Sequence, residues 1–372
     1  MAVNNIDVRQ QNKINVYKMV LSQDKIPRQK IAEKLQLSLP TVAFNLKQLI
    51  ESGLAVEDGQ LFSTGGRKAS TVSCVPNARI AIGIDITQNH IGFAAVNLKG
   101  DVIDSIRLSQ KFSYTADYEN SVLDLFNNYT ATLKIPENTI IGVGISLPGI
   151  VNPEGTKLME SHRLGIYEPA AFEFAEKINH PTLFFNDATA AGMAEISKSP
   201  EIQHAVFLSL SNSIGGAIII NRKSVDGDHA HSAEFGHICS IPGGKQCYCG
   251  KAGHFDSYCS ALALSELADG SLETFFKKFE LKDTVCTKAF ADYIENLSIM
   301  ICNLHIIFDT TVILGGYVGS YLGPFIDQIK QKVLELDTFR DEPDYIRLCQ
   351  YKNEASAVGA ALHFINRFIQ TI

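Results

Sequence analysis

No stretch of the 372 residues stays apolar long enough to cross a membrane as a helix. The first twenty, MAVNNIDVRQQNKINVYKMV, lack the uninterrupted apolar core of a signal peptide. Cysteine occurs eight times, but at uneven spacing and without a secretion signal. Free thiols or metal ligands are therefore expected in place of a disulfide framework. A net positive charge is also missing: the formal charge is −7, which argues against a general nucleic-acid coat. What remains is a chain 45% hydrophobic and 20% charged, the composition of a soluble globular protein, with room for two or three domains. We expect it in the cytoplasm.

The charge is divided unevenly. Residues 1–75 carry ten Lys and Arg against six Asp and Glu, whereas the remainder carries 23 against 34. A small basic head on an acidic body suits a DNA-binding unit joined to something that need not touch DNA. In the head, Ile14, Val16, Tyr17, Val20 and Leu21 recur at helical spacing. Pro27 marks a second helix start, with Ile31, Ala32 and Leu35 on one face. Ser38 caps a third helix with Pro40 in its first turn, and Gly53 ends it. Two short helices joined by a tight turn predict a helix-turn-helix whose second helix enters the major groove. The segment LAVEDGQLFSTGGRKASTVSCV then reads as a wing, two strands around EDG followed by STGGRK. Candidate DNA contacts are Arg28, Ser38, Thr41, Ala43, Phe44, Asn45, Lys47, Arg67 and Lys68. Val42, Leu46, Leu49 and Ile50 are assigned to the core.

From Ile80 onward the pattern is strand-rich α/β. IAIGIDI, IIGVGISLPG, TLFFNDATAAGM, AVFLSLSNSIGGAIII and TTVILGGYVG are apolar runs that end in small or polar turns, and SAVGAALHFINRFI closes the chain as an amphipathic helix. Asp187 follows a buried strand and falls at its C-terminal end, where open α/β sheets bind ligands. A carboxylate there can accept a hydroxyl proton, and Asn186 beside it offers both donor and acceptor.

Nearly all of residues 10–372 resemble the ROK family (repressors, open reading frames and sugar kinases), and its branch with a DNA-binding head in particular. The resemblance rests on the winged head, GIDI, GISLPGIVNPEG, NDATAAGMAE, SAEFGHI…CYCGKAGHFDSYCS and VILGGYVG. It implies a winged helix-turn-helix over residues 1–75, then an actin-like (ribonuclease H-like), two-lobed α/β body. The first lobe would cover 76–198, completed by the helix at 355–372. The second, over 199–354, would carry a zinc loop and the dimerisation surface. It implies an effector cleft between the lobes, with Pro148, Gly149, Asn186, Asp187, Glu234, His237 and Asp256 as candidate contacts. In the family's kinases the Asp matching Asp187 is the base. Arg163 stands where family members commonly place a sugar-contacting Asn. It either grips an acidic or phosphorylated sugar-like effector or fills the cleft itself.

The phosphate side departs from the kinase pattern. DITQNH has Thr87 and Gln88 where glycines would lie, and SNSIGGA has Ser211 and Ser213. Phosphate must be approached closely by backbone N–H groups, so these side chains argue against ATP turnover. Asp187 would be a vestigial base, and no catalytic residue is expected. The family's zinc site, His then C-x-C-G-x-x-G-C, is matched by His237, Cys247 and Cys249, with His254 in the last position. Two thiolates and two imidazoles make a closed, structural zinc site. Cys259, and less well Cys239, are alternative fourth ligands. Together these features predict a regulator, most simply a repressor, that binds operator DNA as a homodimer or tetramer and answers to a sugar-like effector. An active sugar kinase with a DNA-binding head, or a regulator governed by a protein partner, are the alternatives.

Overall fold

The computed structural model describes residues 5–60, 70–339 and 342–372. Arg67 and Lys68 lie outside the described residues. The head begins with α1 (Asn5–Leu21), a two-residue strand β1 (Ile26–Pro27), α2 (Arg28–Leu35) and α3 (Leu39–Glu51). Ser38 caps α3 by accepting the Thr41 N–H at 3.2 Å, and Gly53 leaves it at φ +73°. Strand β2 (Ala55–Gln60) pairs antiparallel with β3 (Ser70–Cys74), and β1 pairs with β3 on its other edge. EDG was expected to turn the chain, but β2 runs through it. The register slips between Glu57 and Gln60, and the Asp58 carboxylate accepts from Ser73 Oγ and Lys25 Nζ. The segment is thus a bulge anchored to its partner strand.

Strands β4 (Ile80–Ile86), β5 (His90–Asn97) and β6 (Val102–Ser109) form a meander, followed by α4 (Ala116–Thr132). Next come β7 (Ile140–Leu147), the small pair β8 (Ile150–Val151) and β9 (Leu158–Glu160), α5 (Glu173–Lys177), β10 (Thr182–Asn186) and α6 (Asp187–Lys198). The first sheet has the order β10-β7-β4-β5-β6, its first three strands parallel. All seven residues of β4 are buried, as expected for a central strand covered on both faces.

The second half repeats this plan. A meander of β11 (Ala205–Leu210), β12 (Ile214–Ile220) and β13 (Lys223–Ser224) precedes α7 (Asp256–Cys259), α8 (Ala261–Ser265), α9 (Leu272–Glu280) and the long α10 (Thr284–Phe308). Then follow β14 (Thr311–Gly315), α11 (Gly316–Gly319), α12 (Ile326–Leu336), β15 (Ile346–Leu348) and α13 (Ala355–Ile369). Sheet order is β13-β12-β11-β14-β15, with β11, β14 and β15 parallel. Two sheets of equal plan, each a meander extended by parallel strands, make the actin-like duplication.

Helix α13 returns to the first sheet and crosses α6. Gly83 and Gly359 permit this: a Cβ on Gly83 would stand 1.7 Å from the Ala357 carbonyl oxygen, and one on Gly359 equally close to that of Ala190. One apolar cluster runs from Val16, Tyr17 and Leu46 in the head to Ala81, Val358 and Phe364 in the body. Among the described residues no helix is long and apolar enough to cross a membrane.

Candidate effector cleft, metal centre and DNA-reading helix

The ends of β4, β7, β10, β11 and β14 converge on a crevice between the sheets. On one side, Pro148, Gly149, Arg163, Asn186, Asp187, Glu234 and His237 are brought together as the lining of a single cavity. Asn186 caps α6: its Oδ1 accepts the Thr189 N–H at 2.9 Å while its Nδ2 donates to the Gly149 carbonyl at 3.0 Å. The amide therefore ties the Pro-Gly turn to the helix that presents Asp187. Asp187 accepts the Ala188 N–H at 2.9 Å and lines both halves of the crevice.

Asp256 is a correction to the expected contacts. It is 5% exposed, and its Oδ1 accepts the Ile214 N–H at 2.7 Å. Its other oxygen lies 3.7 Å from Arg163 Nη2, and the residue lines a neighbouring groove along α10 instead of the cleft. The short side chain at the start of α7 is spent holding β12 and Arg163.

Arg163 is the most connected cleft residue. Its Nη2 donates to the Asn212 carbonyl at 2.7 Å, its guanidinium lies 4.2 Å from the ring centroid of Tyr248, and its buried Nε has no hydrogen-bond partner. It walls the sugar-side cavity, the nucleotide-side cavity and the groove along α10.

The carboxylates are poised away from full ionisation. Burial, then the neighbouring Asp187, pushes Asp85 up to about 7, although Ser146 Oγ donates to it at 2.8 Å. Burial and Asp187 do the same to Glu234, also to about 7. Burial likewise raises Asp187 and Asp256.

On the nucleotide side Thr87, Gln88, Ser211 and Ser213 line the cavity where glycines were missed. Thr87 is committed to its own turn, its N–H and hydroxyl both directed at the His90 carbonyl. Tyr317, not singled out from sequence, also lines this side, held from behind by Arg107. Arg107 on β6 donates to the Tyr317 hydroxyl at 2.7 Å and lies 5.1 Å from its ring centroid. Tyr317 directly follows Gly315-Gly316, so a bulky side chain after a glycine pair was the available signal.

His237, Cys247, Cys249 and His254 converge, with one ligand atom of each within 4.8 Å of the others. The turn is tight: Cys247 N–H donates to the Lys251 carbonyl at 2.7 Å and Gly250 N–H to that of Cys247 at 3.0 Å. His237 Nδ1 is 3.4 Å from His254 Nδ1, and Cys249 Sγ is 3.3 Å from the latter. Neighbouring ligands around tetrahedral zinc stand roughly 3.3–3.8 Å apart, so donor set and spacing fit such an ion. Cys259 is buried against the Tyr293 carbonyl and Cys239 is exposed, so neither joins the four. Tyr248, unremarked in the sequence, places its hydroxyl 3.0 Å from His237 Nε2.

On α3, Phe44 and Lys47 are exposed and Thr41 and Ala43 half-exposed, and Leu39 adds a further exposed apolar group. Asn45 is a correction: it is 4% exposed and its amide donates to the Thr41 carbonyl at 3.0 Å, which directs it along the helix and away from any base. Ser38 is exposed, but its oxygen is engaged as the cap. Arg28 is paired with Glu57. Val42, Leu46 and Leu49 are fully buried.

A winged head on an actin-like, two-lobed body with a polar interlobe cleft defines the class. The chain belongs to the ROK family, which residues 81–367 match. It is 26% identical over 352 residues to the xylose repressor of Caldicellulosiruptor bescii, covering 88% of each chain. Among solved structures, a ROK family transcriptional regulator described as a homologue of the E. coli MLC protein superposes with a TM-score of 0.77 at 18% identity, covering 98% of this chain and 97% of that one. A ROK family glucokinase from Streptomyces griseus, in complex with glucose and AMPPNP, reaches 0.63 at 23% identity, covering 76% of this chain and 98% of its own. At these identities the likeness is one of fold.

Proposed function

We infer that the protein is a DNA-binding transcriptional regulator, acting as a repressor, which takes a carbohydrate-related effector in the interlobe cleft and does not phosphorylate it. One observation carries the reading. A head with an exposed reading helix is fused to a cleft that keeps Asp187 and Glu234 on one side, while side chains at Thr87, Gln88, Ser211, Ser213 and Tyr317 line the other. Phosphoryl transfer depends on positioning and charge neutralisation of the triphosphate, and the side chains at Thr87, Gln88, Ser211 and Ser213 stand in place of the bare backbone that would grip it. The name of the Caldicellulosiruptor bescii relative supports the same direction.

Leu39, Thr41, Ala43, Phe44 and Lys47 would face the major groove, with Phe44 suited to a thymine methyl and Lys47 to phosphate. Two copies acting as a homodimer would meet half-sites about 34 Å apart, or a multiple of it. His237, Cys247, Cys249 and His254 would hold a zinc ion, which supplies a closed, structural cross-link for the loop beyond Glu234.

Two measurements on the full-length protein test the reading. Selection from a random duplex pool should yield a symmetric operator bound at nanomolar concentration, more weakly at high salt. A coupled ATPase assay with a sugar panel should stay at background; turnover would restore the kinase alternative.

A further inference from the structure

This inference rests on the regulator reading and adds the chemical class of the effector. A guanidinium has five N–H donors in a rigid fork. In Arg163, Nη2 spends a donor on the Asn212 carbonyl at 2.7 Å, the Asp256 carboxylate stands at 3.7 Å, beyond hydrogen-bond range, and the Tyr248 ring covers one face at 4.2 Å. The Nε–H is buried with no partner at all. Burying a cationic N–H unpaired is costly, so the cluster is incomplete as it stands. The edge formed by Nε and a terminal nitrogen matches the two oxygens of a carboxylate. Arg163 lines the same cavity as Asp187 and Glu234, whose oxygens suit the hydroxyls of a polyol.

We propose that the cleft binds a sugar acid, a polyhydroxy monocarboxylate whose hydroxyls meet Asp187 and Glu234 and whose carboxylate draws the Arg163 guanidinium toward the cavity, so that the Nε–H now buried unpaired gains its anion. A neutral sugar leaves that N–H without its anion. A sugar phosphate carries a charge of about −1.5 to −2 near neutrality. One arginine faces it there against Asp187 and Glu234, with Asp85 and Asp256 just beyond the cavity wall, a balance that tolerates a monoanion better than a dianion. Burial pushes Asp85 and Glu234 up to about 7, which lowers the repulsion a monoanion meets. The ligand would replace the long Asp256 contact and leave the Asp256–Ile214 hydrogen bond in place.

Isothermal titration of the full-length protein with gluconate, glucuronate, glucose, xylose and glucose 6-phosphate tests this, alongside the variants Arg163→Gln and Arg163→Lys. A sugar acid should bind the parent roughly ten- to a hundredfold more tightly than the neutral sugars. Arg163→Gln should lose that margin with its circular dichroism and melting retained, and Arg163→Lys, which keeps the charge but not the fork, should fall between. Neutral sugars or glucose 6-phosphate binding as tightly as the acids, or acid affinity indifferent to Arg163→Gln, overturns the proposal. Binding of the parent to a duplex selected from a random pool is scored separately. If that binding persists while no sugar acid binds, the ligand class fails and the regulator reading stands; if no duplex is selected, the regulator reading itself fails.

Discussion

Tyr248 lies between two metal-site thiols, and because neighbouring side chains in CYC diverge, it leaves the cluster on the far side and meets His237 Nε2 at 3.0 Å. With zinc bound at Nδ1, the ring proton would sit on Nε2, donate to the tyrosine oxygen and fix the ring. Such outer partners typically carry ten- to a hundredfold in metal affinity. Tyr248→Phe should therefore weaken zinc binding by about that factor in a chelator competition, while the ring that covers Arg163 stays in place. Asp85 supports a second expectation. Its folded-state pKa is raised from the usual carboxylate value to about 7, so between about pH 4 and 7 the native state holds a proton that the unfolded chain has released. Stability from this group is full at low pH and is lost as pH rises through that window. Asp85→Asn should remove this group's share of the slope, leaving that of Glu234, and raise stability at pH 8 by roughly 1–4 kcal/mol, with little change at pH 4, as read from denaturant melts at the two pH values. Its carboxamide oxygen can still accept from Ser146.

At the scale of the element, α3 separates reading from packing between adjacent positions. Phe44 is 58% exposed and Asn45 4%, so a rotation of one residue decides which one faces outward. Phe44→Ala should weaken operator binding in a gel shift and leave the melting temperature unchanged. Asn45→Ala should cost about 1 kcal/mol of stability through the lost bond to the Thr41 carbonyl, and change operator affinity little. Asn45 also marks the limit of what the sequence reveals. Its residue type suits adenine recognition, but the local hydrogen bond back along the helix, which burial enforces, is a tertiary outcome. The EDG segment misled for a similar reason, since Asp58 and Gly59 serve a turn or a bulge equally well until Ser73 and Lys25 claim the carboxylate. The body strands were legible because central strands such as β4 are unbroken apolar runs. The His/Cys cluster was legible because its four residues lie within eighteen positions and their types are chemically distinctive. The Arg107–Tyr317 pair was not, because its partners are 210 positions apart and only the bulk of Tyr317 after a glycine pair hinted at it.

Across the whole molecule, one element touches both the cleft and the head. Helix α13 starts in the crevice, where Ala355 and Ser356 line the nucleotide side, and its fifteen residues carry it about 22 Å to the far end of the first lobe. There the Gln10 amide donates to the carbonyls of Thr371 and Ile372, and Arg79 lies 5.8 Å from the ring centroid of Phe368. Along its length α13 is locked onto α6, the helix that presents Asp187, with no room even for a methyl group at Gly359. A ligand that shifts Asp187 and α6 must therefore move α13 with them, and α13 ends against α1 of the head. Coupling between two such sites is typically 1–3 kcal/mol, a five- to 150-fold change in affinity. Removing Thr371 and Ile372 together with Gln10→Ala severs the last contact of this path while sparing the cleft, the metal ligands and α3. The expected result is unchanged ligand affinity by titration, unchanged operator affinity without ligand, and a ligand-induced change in operator affinity reduced toward none. A ratio that stays at its original value would assign the coupling to the apolar cluster shared by head and body or to the Lys99–Asp24 ion pair at 3.1 Å. That pair is the weaker candidate on physical grounds, because Asp24 is almost fully exposed and a surface ion pair is worth at most about 1 kcal/mol.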